Sequence, residues 1–251
     1  MAGPSLAENK KADPFFHAFT FHSGLVQSPP MDLLIFDFDG LILDTETASF
    51  NVWNDIFKSY GTTLPISEWA ACVGTTQRAF DVYAYLAAQS GQTIDKAAVA
   101  KRHRDESMKL IEAMEPRPGV LSYMTEAQNL RLPMALASSS DQNWVMSNLS
   151  RLNLAEHFHS IRTSNDVENV KPHPELYQLT LTTMGVKPHR ALAFEDSPNG
   201  IKAAKAAGIF TVAVPNPVTR QMPLEEADMR IESMADITLR ELLHKIHLSR
   251  Q

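Results

Sequence analysis

Residues 31–46, Met-Asp-Leu-Leu-Ile-Phe-Asp-Phe-Asp-Gly-Leu-Ile-Leu-Asp-Thr-Glu, constrain the fold more than any other stretch. The apolar run Leu33 to Phe36 is short, bounded on both sides, and reads as a buried strand. Asp37 and Asp39 follow it, one residue apart, and Gly40 lets the backbone turn sharply. Carboxylates at the C-terminal end of a parallel strand face the crevice where open α/β sheets bind ligands. Residues i and i+2 of extended chain share a side, so both carboxylates can address one substrate. Two like charges that close need a cation or a proton between them. The pair therefore points to a hard divalent metal, Mg²⁺, and to one carboxyl that cycles its proton. An EF-hand loop does not fit: Gly40 comes too early, and Ala48 stands where the bidentate Glu belongs.

The pattern after Glu46 is helical as far as residue 116. Phe50, Trp53, Ile56 and Phe57 recur at helical spacing, and Gly61 stops that helix. Further helices are predicted over 67–73, 76–90 and, capped by Asp95, to about Met114, before Pro116-Arg117-Pro118-Gly119 breaks the pattern. The Trp53, Phe57, Phe80 and Tyr83 stripe reads as the core of this block. Strand signals resume at Met134–Ala137, Ser160–Thr163, Ala191–Phe194, Phe210–Val214 and Met229–Ile231, with helices between them. That alternation predicts a Rossmann-like α/β core, a parallel sheet with helices on both faces. The expected organisation is a core of residues 31–46 and 117–251, an inserted α-helical cap of residues 47–116, and a poorly ordered extension over 1–30.

Bulk properties narrow the partners. The 251 residues carry a net charge of −6 without a basic stripe, so nucleic-acid binding is not expected. No apolar run approaches the ~20 residues of a membrane span. Cys72 is the only cysteine, which suits a reducing cytoplasm, and a cytoplasmic monomer is expected. Phe15, Phe16, Phe19 and Phe21 are too interrupted for a signal-peptide core. His103, His157, His159, His173 and His189 show no zinc-like spacing and are read as surface residues.

Three strand ends bring chemistry to one sheet edge: Asp37 and Asp39; Ser138; and Glu195 with Asp196, while the loop 169–172 supplies Lys171. With these motifs in this order, residues 31–215 resemble the haloacid dehalogenase superfamily, in its phosphoglycolate phosphatase and β-phosphoglucomutase-like branch. The resemblance implies an aspartyl-phosphate enzyme. Asp37 would be the nucleophile and Asp39 the general acid, then base. Ser138 and the backbone N–H after it would hold phosphoryl oxygens, with Lys171 neutralising charge. Mg²⁺ would be held by Asp37, the Asp39 carbonyl and Asp196, with Glu195 a further ligand, direct or through water. Ser139, Glu46 and Arg78 are substrate-contact candidates, with Lys101 and Arg104 as further charged candidates on the cap.

The expected reaction is hydrolysis of a small phosphorylated metabolite, such as a sugar phosphate. Three other readings differ in sequence terms. A dehalogenase needs no acid at Asp39. A non-catalytic binding relative would not need the full carboxylate set. Mutases of this branch carry a histidine where this chain has Ser49, and their cap loop matches Gly74-Thr75-Thr76-Gln77-Arg78 only loosely.

Overall fold

The computed structural model describes residues 31–70 and 80–250. The expectations for the 1–30 extension, Cys72, the Gly74–Arg78 loop and Arg78 itself fall outside the described residues.

Six parallel strands form one sheet: β1 (Leu33–Phe36), β2 (Met134–Ala137), β3 (Ser160–Arg162), β4 (Ala191–Glu195), β5 (Phe210–Ala213) and β6 (Met229–Arg230). Their order is β3-β2-β1-β4-β5-β6. The chain reverses its direction of travel across the sheet beside β1, which opens a crevice at the strands' C-terminal ends. β4 runs one residue further than the sequence pattern indicates, so Glu195 sits within the sheet rather than beyond it.

Helices α1 (Thr45–Ser59), α2 (Ile66–Ala70), α3 (Val82–Ser90) and α4 (Lys96–Glu112) follow β1, with no strand between them among the described residues. Then come α5 (Val120–Asn129), α6 (Gln142–Arg151), α7 (Glu175–Met184), α8 (Pro198–Ala206) and α9 (Leu239–Ser249). α1 begins two residues earlier than its apolar period suggests, because the Asp44 side chain accepts from Thr47 N–H at 3.2 Å and starts the helix there. Asp95 caps α4 as its position indicates, accepting from Ala98 N–H at 3.0 Å.

Alternation along each strand divides the sheet's two faces by size. Leu34, Phe36, Met134, Leu136, Leu192, Phe194 and Val212 point to one face, where Tyr123 and Met124 of α5 and Leu242 and Leu243 of α9 cover them. Leu33, Ile35, Ala135, Ala137, Ala191 and Ala193 point to the other, against Leu176, Tyr177 and Leu181 of α7 and Ala203 and Ala204 of α8. Small side chains on the second face let α7 and α8 approach the sheet closely. Burial on both faces explains why these strands are unbroken apolar runs.

The helical block has its own apolar core, built from Val52, Trp53, Ile56, Phe57, Trp69, Val82, Leu86 and Val99. Trp53 is its centre, edge-on to Tyr83 with ring centroids 5.4 Å apart and stacked on His103 at 4.4 Å. Val218, from the loop after β5, joins this cluster and ties the block to the sheet side. No helix among the described residues is long and apolar enough to cross a membrane.

Candidate active site

The register pairs Phe36 with Leu136 on one side and with Phe194 on the other, so β1, β2 and β4 end level. Asp37 N–H continues the ladder by donating to Phe194 O at 3.1 Å. Asp37, Ser138, Glu195 and Asp196 consequently meet at one edge, and all four are buried. Lys171 arrives from the loop before α7, where the Lys171–Pro172 peptide bond is cis.

Lys171 Nζ donates to Asp37 Oδ1 at 2.5 Å and to Glu195 Oε1 at 2.6 Å. Tyr177 of α7 donates to the same Glu195 oxygen at 2.6 Å. The other Glu195 oxygen accepts from Asp196 N–H at 3.2 Å. Both oxygens of Glu195 thus face protein donors. Asp196 Oδ2 accepts from Asn216 Nδ2 at 2.7 Å. Two glycines make room for this packing. At Gly40, φ is +83° and a Cβ would collide with the Asp196 carboxylate. At Gly200, in the first turn of α8, a Cβ would collide with the Glu195 carboxylate.

Charge does not balance within the protein. Asp37, Glu195 and Asp196 offer ligand oxygens that all lie within 4.8 Å of one another. One buried ammonium, Lys171, faces them. Burial pushes the Asp37 carboxyl up to about 7, against the pull of the Lys171 charge. Burial, with the charges of Asp37 and Glu195, also holds Asp196 well above the usual carboxylate range. Lys171 is held above its ordinary value: burial opposes this, and the charges of Asp37 and Glu195 outweigh it. An all-oxygen, over-negative, buried donor set fits a hard divalent cation such as Mg²⁺.

The Asp39 carboxylate points away from this cluster, toward the start of α6. Oδ2 accepts from Ser140 Oγ at 2.6 Å. Oδ1 accepts from Thr45 Oγ1 at 2.8 Å and Trp144 Nε1 at 2.9 Å. Above both carboxylates lies a cavity of about 600 Å³. Its walls join the sheet edge to the helical block: Glu46, Ser49, His103, Arg104, Ser107 and Met108 face the strand ends. Ser138 Oγ accepts from Ser140 N–H at 3.0 Å. The buried Ser139 hydroxyl has no partner among the described residues, an orphaned donor at the place where an anion would sit. The Glu46 carboxyl makes no hydrogen bond among the described residues; burial and the nearby charges of Asp39 and Asp37 push it up to about 8.

Every candidate that falls on described residues reaches this cavity or the acidic cluster beneath it, except Lys101, which is exposed and pairs with Asp105 at 2.5 Å. His103 corrects the surface reading of the histidines. Half-buried, it stacks on Trp53, and its Nε2 lies 3.1 Å from Ser49 Oγ and 3.3 Å from Ser107 Oγ. His159, His173 and His189 are exposed, as read. Sequence reasoning passed over Thr45, Ser140, Trp144, Tyr177 and Asn216. Asn216 carried a usable signal, since it follows β5 at the same sheet edge. Trp144 looked like one apolar position of a helix face.

Residues 34–214 match the family described as haloacid dehalogenase-like hydrolase. The chain belongs to that family. YhcW of Bacillus subtilis (strain 168) is 45% identical over 218 residues, which cover 87% of this chain and 98% of YhcW. The "Phosphorylated carbohydrates phosphatase" of Thermotoga maritima is 31% identical over 180 residues, 71% of this chain and 82% of its own. Among solved structures, CbbY from Rhodobacter sphaeroides in complex with phosphate superposes with a TM-score of 0.61 at 26% identity, covering 82% of this chain and 96% of CbbY. This dehalogenase-like hydrolase therefore shares its fold with CbbY along most of its length.

Proposed function

We propose that this hydrolase is a Mg²⁺-dependent phosphatase of a small phosphorylated metabolite, a sugar phosphate or similar monoester, acting through an aspartyl-phosphate. The carrying observation is Asp37 held by Lys171 at 2.5 Å beneath a cavity lined by Ser138 and the orphaned Ser139 hydroxyl. The kinship with a carbohydrate phosphatase supports the substrate class.

In this reading the Asp37 oxygen not bound to Lys171 attacks phosphorus, and the bond to the ester oxygen breaks. Ser138, Ser139 and Lys171 hold the transferring group's oxygens and spread its charge. Asp39, protonated, gives its proton to the departing oxygen. The resulting carboxylate then takes a proton from the water that attacks the phospho-aspartate, releasing phosphate and restoring Asp37. Asp37, Asp196 and the Asp39 backbone carbonyl would hold Mg²⁺, which neutralises phosphoryl charge when bound. Glu195, whose oxygens already meet Lys171, Tyr177 and Asp196 N–H, serves mainly to place the lysine and would be at most a water-mediated ligand of the ion. Residues 47–116 act as a cap that selects the ester, and Glu46 accepts from a substrate hydroxyl. The protein works as a monomer in the cytoplasm and binds neither nucleic acid nor membrane.

The test is a panel of phosphate monoesters with Mg²⁺, scored by released phosphate, with EDTA as control. Sugar phosphates should lead the panel and EDTA should abolish turnover. Interconversion of isomeric sugar phosphates without phosphate release would make the enzyme a mutase. Full turnover in EDTA would remove the metal from the scheme.

A further inference from the structure

We propose that Trp144 is a positioning residue for Asp39, its indole N–H fixing the aim of the carboxylate that shuttles the proton. The inference rests on the acid–base role given to Asp39 above.

Three segments converge on that carboxylate: Thr45 from the start of α1, Ser140 from the loop after β2, and Trp144 from the first turn of α6. Thr45 and Trp144 share Oδ1, at 2.8 and 2.9 Å. A tryptophan N–H donates and never accepts, so this contact has one polarity, unlike the two hydroxyls. The ring is also anchored. It packs against the larger core cluster. The Trp144 backbone N–H donates to the Asp141 cap at 2.9 Å, and its carbonyl accepts from Ser147 and Asn148 at 3.0 Å each. Asp39, by contrast, sits in a turn before Gly40 and can rotate its carboxylate unless it is held.

Packing alone does not explain the residue. Phenylalanine would fill an apolar wall, and an indole N–H at a half-exposed cavity wall could bond water. The Thr45 and Ser140 hydroxyls can rotate and can also accept, whereas the indole N–H has one direction and a packed ring behind it, so Trp144 is the anchored donor that keeps Oδ1 aimed. Loss of the N–H should therefore slow chemistry and leave binding nearly untouched.

The experiment uses the full chain with Mg²⁺ and an alkyl phosphate, whose leaving oxygen requires a proton. Trp144→Phe should lower kcat by about 10- to 100-fold, a share of the ~10²–10⁴ that general acid–base catalysis supplies. KM should stay within about threefold, since uniform binding is not what the N–H provides. Replacing Trp144 by 3-benzothienylalanine, which keeps the bicyclic shape and lacks the N–H, should give the same loss and covers the chance that phenylalanine loosens the fold. The effect must also follow the need for a proton: with an activated aryl phosphate, whose leaving oxygen needs none, Trp144→Phe should leave the rate of phosphoenzyme formation unchanged. A benzothienyl variant with wild-type kcat, a change confined to KM, or an equal loss of phosphoenzyme formation from the aryl phosphate would overturn the assignment. Wild-type protein that never releases phosphate or forms a phosphoenzyme would bring down the proposed function and this inference together; wild-type turnover with unaffected Trp144 variants sinks the inference alone.

Discussion

Removing the cation should make the protein lose stability as pH rises toward neutrality. Burial raises the Asp37 carboxyl from 3.8 to about 7 in the folded, metal-free chain. A group whose folded value lies above its unfolded value binds its proton more tightly when folded. Its contribution is therefore full below the unfolded value and is lost as pH climbs through the folded one. The window runs from about pH 4 to pH 7. Between pH 5 and pH 7.5 the expected loss is about 2–3 kcal/mol at roughly 1.4 kcal/mol per unit. Lys171 does not cancel it, because its value lies above the ordinary lysine range and its charge persists throughout. Ordinary carboxylates are almost fully ionised by pH 5 and add little between pH 5 and pH 7.5. Urea unfolding in EDTA at the two pH values should show the midpoint falling by about 1 M, given m-values of about 1–3 kcal/mol/M. Saturating Mg²⁺ at pH 7.5 should restore it, because a ligand bound only by the native state adds stability. Asp37→Asn, neutral at both pH values, should reduce the dependence and leave the part due to the raised Asp196 and Glu46 carboxyls. A metal-free midpoint that rose from pH 5 to pH 7.5, or a wild-type slope matching that of Asp37→Asn, would refute the reasoning.

Other expectations follow from the same geometry. After mixing with an activated aryl phosphate, Asp39→Asn should carry a phosphate adduct by intact-mass spectrometry and Asp37→Asn should not; the reverse would exchange their roles. Lys171→Met should drop kcat and, in EDTA at neutral pH, destabilise the fold by about 3–5 kcal/mol, the usual cost of stranding a buried partner; calorimetry without that loss would mean that water reaches the cluster. Gly200→Ala, normally favourable in a helix by about 1 kcal/mol, should instead lower both Tm and activity, because the methyl group meets the Glu195 carboxylate. A variant with residues 47–116 replaced by a short linker should still turn over p-nitrophenyl phosphate yet lose preference among natural esters; unchanged preference would move substrate choice to the sheet side.

The sheet was legible because its inner strands β1, β2, β4 and β5 are short, mainly apolar runs bounded by turn signals, while the edge strands β3 and β6 carry a weaker pattern. The edge that gathers the candidate site was legible because chemistry-bearing residues stand directly after those runs. Partners brought in by tertiary contact were not. Tyr177 sits among Leu176 and Leu181 on an apolar helix face, and nothing local says that its hydroxyl reaches Glu195. Trp144 and His103 are similar: an aromatic at helical spacing reads as packing, while the polar atom on its ring finds a partner from a distant segment. The start of α1 was misjudged for another reason. Apolar periodicity marks where a helix packs, whereas Asp44 marks where its hydrogen bonds begin.

The alanines on one face of the sheet act as a spacer gauge for the edge that holds the candidate site. Ala135, Ala137, Ala191 and Ala193 set how near α7 and α8 can lie, and α7 carries the Tyr177 hydroxyl to Glu195. A larger side chain at any of these positions would cost about 1–3 kcal/mol through overpacking. It would also lift α7 and draw the tyrosine off its carboxylate, so a change far from any substrate would register as mistuned chemistry. The opposite face, filled by leucine, methionine and phenylalanine, has more ways to repack. The two sides of the sheet should therefore drift at different speeds: one free to exchange bulky residues, the other held to alanine at four of its positions.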